Sequence, residues 1–358
     1  MHRYRSLSVL ALATLGMLSG CSGCASYRRC SLPEPGVLGA LPERLSQTGL
    51  FDPANPAAIA SGVIAYEPAF ALWSDGADKR RWVALPEGAR IDSSDADAWL
   101  FPAGTKFWKE FSRDGRRIET RLLFKHGPRE HDWAGAAYVW NDDQNEAYLA
   151  PAGLRDAGGS GHDVPSAADC GGCHGGRRSH VLGFSAVQLA PAELPLSLEA
   201  LGREGRLTHV PERAPSLPGS ELDRAALGYL HANCGHCHNR ERPARGDGPR
   251  CYDPERSIDF WLPSDTNDAE VTGMPAYTST VPRFITPGEP DDSRLITLVS
   301  RRGWRLHMPP LGTHQIDGEG VRLLREWIAS LAPERAPARA ATPFSGTRSS
   351  ATRSSATP

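Results

Sequence analysis

The stretch NCGHCHNR, residues 233–240, places two cysteines and two histidines within the five positions 234–238. Such a density of metal-ligating and redox-active side chains is typical of four structures: a zinc knuckle, a redox-active dithiol, a disulfide and a covalently attached haem. The fold of the C-terminal part of the chain depends on which of the four applies. The rest of the sequence discriminates among them.

A second segment repeats the pattern. CGGCH at 170–174, like CGHCH at 234–238, is a C-x-x-C pair followed at once by histidine. Because histidine occupies 12 of 358 positions, a histidine after both pairs arises by chance with a probability of roughly one in a thousand. A four-cysteine zinc site leaves both histidines unexplained. A thioredoxin-like dithiol requires a βαβ context, whereas the second pair follows a predicted helix.

C-x-x-C-H is the attachment pattern of c-type haem. Two thiols one helical turn apart can form thioethers with the two vinyl groups, and the adjacent histidine then directs a ring nitrogen at the iron. The sequence therefore predicts two covalently bound haem c groups. The predicted attachment residues are Cys170, Cys173, Cys234 and Cys237, and the predicted proximal iron ligands are His174 and His238.

The sixth ligand of the second haem is sought among few residues. Beyond the N-terminal leader the chain has two methionines, Met274 and Met308, and Met308 lies in the proline-held loop HMPPLGT before the last predicted helix. A thioether ligand stabilises ferrous iron and raises its potential, so Met308 is the predicted ligand. His307 is the local rival, and a core-filling role for Met308 is the alternative. His236, between the haem cysteines, is expected to point outward.

The distal ligand of the first haem stays open at this stage. His180 follows His174 too closely to reach the opposite face. His231 is the selected candidate, because it precedes Cys234 by three residues and would bring the two haems together; a helix-surface histidine is the alternative. The other residues that remain open are His209, His162, His126, His131 and Met274.

The N-terminus indicates export. Basic MHRYR precedes the short apolar run SLSVLALATLGML, and LSGC at 18–21 has the lipobox pattern. Residues 1–20 are therefore a predicted lipoprotein signal peptide, Cys21 the lipidated residue, and 21–40 a tether; an ordinary signal peptide is the alternative. Ser22 favours the outer membrane, so we expect a lipid-anchored protein of the bacterial cell envelope that faces the periplasm.

Charge and the remaining cysteines add two expectations. The formal net charge of −2 is evenly spread, so nucleic acid is not an expected partner. Once Cys21 and the two C-x-x-C pairs are assigned, Cys24, Cys30 and Cys251 remain. Three is an odd number, so at least one of them is free or pairs outside the chain.

Patterning divides the chain into parts. Residues 41–160 alternate like strands in TKFWKEF, RRIETRLLFKH, WAGAAYVWN and EAYLAP, and six of the nine tryptophans, between 73 and 140, are expected to fill a core. The predicted fold class is multidomain α+β. It comprises a β-rich, sandwich-like domain (41–160), a helical first haem-binding segment (161–215), an all-α class I cytochrome c domain (216–334) and a disordered tail (335–358). Ser220, Asp291 and Asp317 are predicted helix caps.

Residues 220–334 resemble a class I cytochrome c domain, with a capped helix, C-x-x-C-H, a Met-Pro-Pro loop and a closing aromatic-bearing helix. In that fold the first and last helices cross, which implies that Tyr229 and Trp327 meet. More widely, residues 41–334 resemble an uncharacterised family of bacterial di-haem c-type cytochromes in LWSDGADKRR, RRIETRLL, YVWNDDQNEA, DCGGCH, YLHANCGHCH and MPPLGT. The 240–285 segment, with Cys251, departs from that family.

These features favour an electron-transfer protein, a two-haem relay between a periplasmic donor and an acceptor. The expected partners are redox proteins, a dehydrogenase or another cytochrome, and the membrane through the lipid anchor. A di-haem peroxidase is one alternative, although the long β-rich stretch argues against that largely helical class. The other alternative is a β domain that binds a ligand and is coupled to haem redox chemistry.

Overall fold

The computed structural model describes residues 41–242, 257–303 and 307–332. Several predictions lie outside these residues: the signal peptide, lipidation at Cys21, the tether, the pairing of Cys24, Cys30 and Cys251, and the disordered tail. Within the described ranges no helix is both long enough and apolar enough to cross a membrane.

A six-stranded antiparallel meander forms the centre of the molecule, with neighbouring strands in chain order. Its strands are β3 (Ile64–Ala65), β4 (Asp78–Ala84), β5 (Lys106–Arg113), β6 (Arg116–Lys125), β7 (Trp133–Trp140) and β8 (Ala147–Leu149). A separate two-stranded hairpin, β1 (Phe51–Asp52) and β2 (Asn55–Ile59), precedes it. The predicted strands in 105–150 are confirmed.

Both faces of this sheet are buried. Trp108 and Leu122 pack on one face in a cluster with residues 41–50, while Phe107 and Leu123 pack on the other face against residues 181–207. Period-2 alternation produces this division, because successive side chains of a strand point to opposite faces. Five of the six tryptophans between 73 and 140 are buried, as predicted: Trp82, Trp99, Trp108, Trp133 and Trp140.

In the part of the chain that the structure describes, six short α-helices follow the sheet. They are α1 (Cys170–His174), α2 (Leu198–Arg203), α3 (Glu221–Leu230), α4 (Pro275–Thr278), α5 (Arg294–Val299) and α6 (Gly318–Ser330). Short 3-10 turns lie at Leu45–Thr48, Ala157–Gly159, Ala167–Asp169 and Val271–Gly273, and a π-helical turn, His231–Gly235, continues α3. Ser220 caps α3 in a capping box with Asp223, and Asp317 caps α6, as predicted. Asp291 does not cap α5, which begins after Ser293.

The predicted fold class is wrong. Residues 216–334 are not an all-α class I cytochrome c domain, because α3 and α6, of 10 and 13 residues, are the only described helices there longer than six residues. Turns and loops rich in proline and glycine join them. The sandwich prediction fails as well, since loops and short helices, not a second large sheet, cover the six-stranded sheet. Eight strands in two sheets, with short helices, describe the chain.

The C-terminal helices are joined to the loop that precedes β4. Asn233 accepts a hydrogen bond of 2.7 Å from the backbone nitrogen of Trp73. The carboxylate of Asp75 accepts from the backbone nitrogens of His314, at 2.9 Å, and Gln315, at 2.9 Å. Phe70 lies against Gly228 of α3, where a Cβ would come within 2.1 Å of its ring. The boundaries predicted at 160, 215 and 334 stay predictions.

Helices α3 and α6 pack on each other, and Tyr229 and Trp327 both belong to the C-terminal hydrophobic cluster. Tyr229 lies over Gly320, where an added Cβ would be 2.3 Å from the phenol oxygen. Trp327 instead donates its indole N–H to Asp223 at 3.0 Å. The glycine on α6 therefore allows the close approach of the two helices.

Candidate functional site

The second motif, residues 234–238, opens on an apolar cleft, called here the second-motif cavity. Its volume of about 1270 Å³ includes space open to solvent. Cys234, Cys237 and His238 line it on one side, and Met308 lines it from a loop far along the chain. The apolar walls are Ile258, Phe260, Phe284, Leu295, Leu298 and Val299. All three predicted haem-binding residues of the second motif and the predicted methionine ligand therefore share one cavity.

Local structure fixes the second motif. The π-helical turn after α3 carries Cys234, and the backbone nitrogens of Cys237 and His238 both bond to the Cys234 carbonyl, at 3.0 and 2.8 Å. Asn233 clamps the turn, because its amide donates to the carbonyls of Tyr229 and Ala71. Sequence reasoning missed this clamp, since a single asparagine carries no pattern that separates it from a loop residue.

Hydrogen bonds hold both the backbone nitrogen and the carbonyl of Met308. The backbone nitrogen of Met308 donates to the Leu298 carbonyl at 3.0 Å, and Arg302 donates to the Met308 carbonyl at 3.1 Å. The side chain packs against the C-terminal hydrophobic core. The rival, His307, has a buried Nδ1 with no hydrogen-bond partner among the described residues. The structure thus places the predicted residue at the cavity and leaves the ligand role of Met308 a prediction.

The first motif, residues 170–174, forms α1, which follows a capping box of Ser166 and Asp169. Its histidine is oriented by the chain itself: Nδ1 of His174 donates to the His180 carbonyl at 2.7 Å. Burial lowers the pKa of His174 to about 4, so the ring is neutral at neutral pH. Because Nδ1 carries the proton, Nε2 keeps the lone pair that a metal requires.

The two motifs touch each other. The sulfur of Cys237 lies 3.8 Å from the Gly172 carbonyl, and the Asn239 amide donates to the carbonyls of Gly235 and Gly176. A Cβ at position 176 would lie 1.9 Å from the His236 carbonyl oxygen, so only glycine permits this approach. The sequence signal for this close contact is the pair of glycines directly after the first motif, Gly175 and Gly176.

Two residues of the motifs depart from expectation. His236 does not point outward: it is 8% exposed, it lines the second-motif cavity, and its Nδ1 has no partner among the described residues. Its backbone contact with Gly176 turns this face of the second motif toward the first motif. Cys173 of the first motif, unexpectedly, also lines the second-motif cavity.

The candidates for the distal ligand of the first haem are dispersed. His231 is buried, contacts Trp261 with the ring centres 4.4 Å apart, and accepts a hydrogen bond of 3.1 Å from the Leu262 nitrogen at Nδ1. A neutral ring with Nδ1 so occupied carries its proton on Nε2, which disfavours iron ligation there. The ligand role of His231 stays a prediction.

The other candidates have separate surroundings. His162 bonds to the buried Glu119 at 2.6 Å, and His131 bonds to His180 at 3.2 Å. Met274 is buried in the C-terminal core. His209 bonds to Thr208 in the loop beyond α2, and His126 is exposed. None of these contacts assigns a distal ligand.

Comparison with known proteins returned no match: no family model, no curated protein and no solved structure is similar to this chain at a significant level.

Proposed function

We propose that this chain is a di-haem c-type cytochrome that transfers electrons between a periplasmic donor and an acceptor. One observation supports this most: Cys234, Cys237, His238 and Met308 line the same apolar cavity. The thioether and the motif histidine come from segments far apart in the chain. A zinc knuckle or a dithiol would require neither the distant methionine nor so large an apolar space.

The residues present fit haem c at the second motif. Cys234 and Cys237 would hold it through thioethers, and His238 and Met308 would supply the nitrogen and sulfur ligands. Around a bound haem the apolar walls would limit contact with water, which would lower the reorganisation that accompanies a change of charge. When bound, haem c supplies an iron that alternates between the ferric and ferrous states by one electron.

The first motif fits as well, on a different observation. The hydrogen bond from His174 to the His180 carbonyl sets the tautomer that leaves Nε2 free to ligate. Backbone carbonyls orient metal-ligating histidines in this way in many proteins. Cys170 and Cys173 would hold the cofactor at this motif.

Contact between the motifs supports a relay. Cys237 and Gly172 approach within 3.8 Å, so the attachment segments of the two cofactors are neighbours. A relay needs such proximity, because electron transfer through protein weakens steeply with distance. The proposed partners are a periplasmic dehydrogenase or another cytochrome, and lipidation at Cys21 would anchor the chain to the outer membrane.

The decisive experiment is expression with export and haem maturation, followed by intact mass and absorption spectroscopy. Two added haem masses and a low-spin ferric spectrum that peroxide does not change are expected. A zinc-loaded protein without haem would overturn the proposal. Rapid turnover of peroxide would show that the protein is a peroxidase and would overturn the electron-transfer proposal.

A further inference from the structure

Three cationic residues stand side by side across the central sheet. Arg81 of β4 is paired in register with Lys109 of β5, and Lys109 is paired with Arg121 of β6. Residues directly opposite each other in an antiparallel sheet share a face. Like charges in such positions destabilise the sheet unless something compensates them.

This row faces the first motif. Arg121 is paired with Ala137 of β7, so Gly135, two residues before Ala137, lies on the same face of the sheet. A Cβ at Gly135 would be 3.0 Å from the sulfur of Cys170. The glycine thus lets α1 lie directly on the sheet, beside the row of cations.

Protein carboxylates compensate only one end of the row. Arg121 makes a two-point ion pair with the buried Glu119, with contacts of 2.5 and 3.0 Å. Among the described residues neither Arg81 nor Lys109 forms an ion pair, and Glu67 acts on Arg81 only at longer range. Lys109 has an aromatic contact, with Nζ 5.1 Å from the centre of the Phe111 ring.

These two cations line a small cleft, and its volume of about 470 Å³ includes space open to solvent. Val181 and Leu182, which follow the first motif, form one wall, and His236 of the second motif forms another. Arg81 is 8% exposed. A buried cation without an anion is costly, so the cavity is suited to an anionic group. Burial lowers the pKa of Lys109 well below its usual range, and the charges of Arg81 and Arg121 lower it further.

We propose that Arg81 and Lys109 bind the propionate carboxylates of the haem attached at the first motif. The inference rests on the proposed function and deepens it. Haem c brings two carboxylates, and the row has two cations that form no ion pair among the described residues. The charges of Lys109 and Arg121 also interact with the thiol of Cys173, so the row lies within electrostatic range of the attachment point.

The charges of Arg81 and Lys109 would change the reduction potential of the first haem. Reduction adds one negative charge to the cofactor, and nearby cations stabilise the reduced form. Arg81 and Lys109 therefore raise the potential at the first motif. Their removal should lower it while the second motif, with its methionine and apolar walls, changes little.

The test is a redox titration of the mature Lys109→Met protein. The wave of the first haem is identified by its loss in a Cys170→Ala, Cys173→Ala variant. We expect reduction of that haem to become about tenfold less favourable, which is about 59 mV for a one-electron couple. Lys106→Met is the matched control: it removes the same charge from the same strand but on the opposite face, where Lys106 donates to the Thr48 carbonyl at 2.6 Å.

Further variants separate charge from folding. Lys109→Arg keeps the cation, so its first haem should have the potential of the unmodified protein. Arg81→Met should lower the potential of the first haem, as Lys109→Met does. Two haem masses with an unchanged first wave in both methionine variants would overturn the inference and leave the proposed function intact. Absence of haem from the unmodified protein would overturn both. A first-haem potential that follows phosphate concentration at constant ionic strength would show an exchangeable anion in place of the propionates, and would also overturn the inference.

Discussion

The same five-residue pattern occurs in two different environments. The second motif lies in an apolar cavity that Met308 closes from a distant loop. The first motif lies on a sheet face with three cations in a row, and its histidine is oriented by the His180 carbonyl. If the proposed function is correct, the motif fixes where each haem attaches, while the surrounding fold decides its charge environment and its further ligand.

Removal of the attachment cysteines has the largest expected effect. Cys234→Ala with Cys237→Ala should remove one haem mass and lower the free energy of unfolding by about 5 kcal/mol or more, because the apolar cavity loses its occupant. Cys170→Ala with Cys173→Ala should also remove one haem mass, with a smaller loss of stability because the wall beside that motif is polar. Intact mass and urea denaturation measure both. Equal losses of stability would contradict the contrast between the two environments.

Met308→Ala tests the proposed thioether ligand, which would distinguish the second motif from the first. Loss of the thioether should make reduction of the second haem at least about tenfold less favourable, let carbon monoxide bind the ferrous form, and abolish the near-infrared band of methionine-ligated ferric iron. Redox titration and absorption spectra are the measurements.

Met274→Ala is the matched control for that variant. Met274 is 1% exposed in the C-terminal core, so its truncation should cost about 2–5 kcal/mol of stability without a change of potential. Unchanged potential, band and gas binding in Met308→Ala would point instead to His307 or to an open iron.

Gly176→Ala tests the contact between the motifs. The new Cβ would lie 1.9 Å from the His236 carbonyl oxygen, so the motifs must move apart. We expect a loss of about 1–3 kcal/mol in the free energy of unfolding, measured by chemical denaturation. Gly273→Ala is the control, because nothing lies within 4 Å of a Cβ there. A variant as stable as the control would show that the contact is not tight.

His231→Gln has the smallest expected effect. Burial lowers the pKa of His231 to about 3, from 6.5, so below pH 6.5 the unfolded chain binds a proton that the folded chain does not. The stabilisation is complete above pH 6.5 and is lost as the pH falls toward 3. Glutamine can still accept from Leu262 and does not titrate. The dependence of unfolding free energy on pH should therefore flatten by up to about 1.4 kcal/mol per pH unit.

The same variant tests the predicted ligand role. Denaturation at several pH values measures the slope, and the absorption spectrum of the first haem should not change. A shift of that spectrum to high spin would instead identify His231 as the iron ligand.

The sequence predicted the strands and the starts of two helices, which depend on interactions between residues close together in the chain. Alternating residues in 105–150 indicated the strands, and the side chains of Ser220 and Asp317 indicated where α3 and α6 begin. These features depend on neighbours within a few residues, so the sequence shows them directly. Met308, predicted as the ligand of the second haem, lines the second-motif cavity, and its ligand role stays a prediction.

Features set by long-range packing were not foreseen. Which residues stand opposite one another in a sheet depends on register, so the row of Arg81, Lys109 and Arg121 cannot be read from three separate segments. The all-α prediction extended a short motif to a whole domain, whereas the described helices between α3 and α6 are no longer than six residues. The direction of His236 depended on the first motif, which no local signal connects with the second.

Asp75 restricts the motion of the loop that carries Met308. Its carboxylate holds the backbone of His314 and Gln315, just beyond Met308, across a separation of 239 residues in sequence. A loop pinned at that point has fewer conformations to lose when its sulfur is engaged, so less entropy opposes engagement. If Met308 is the ligand, a substitution at Asp75, far from Met308 in the sequence, would therefore speed the release of the sulfur and resemble damage to the methionine itself.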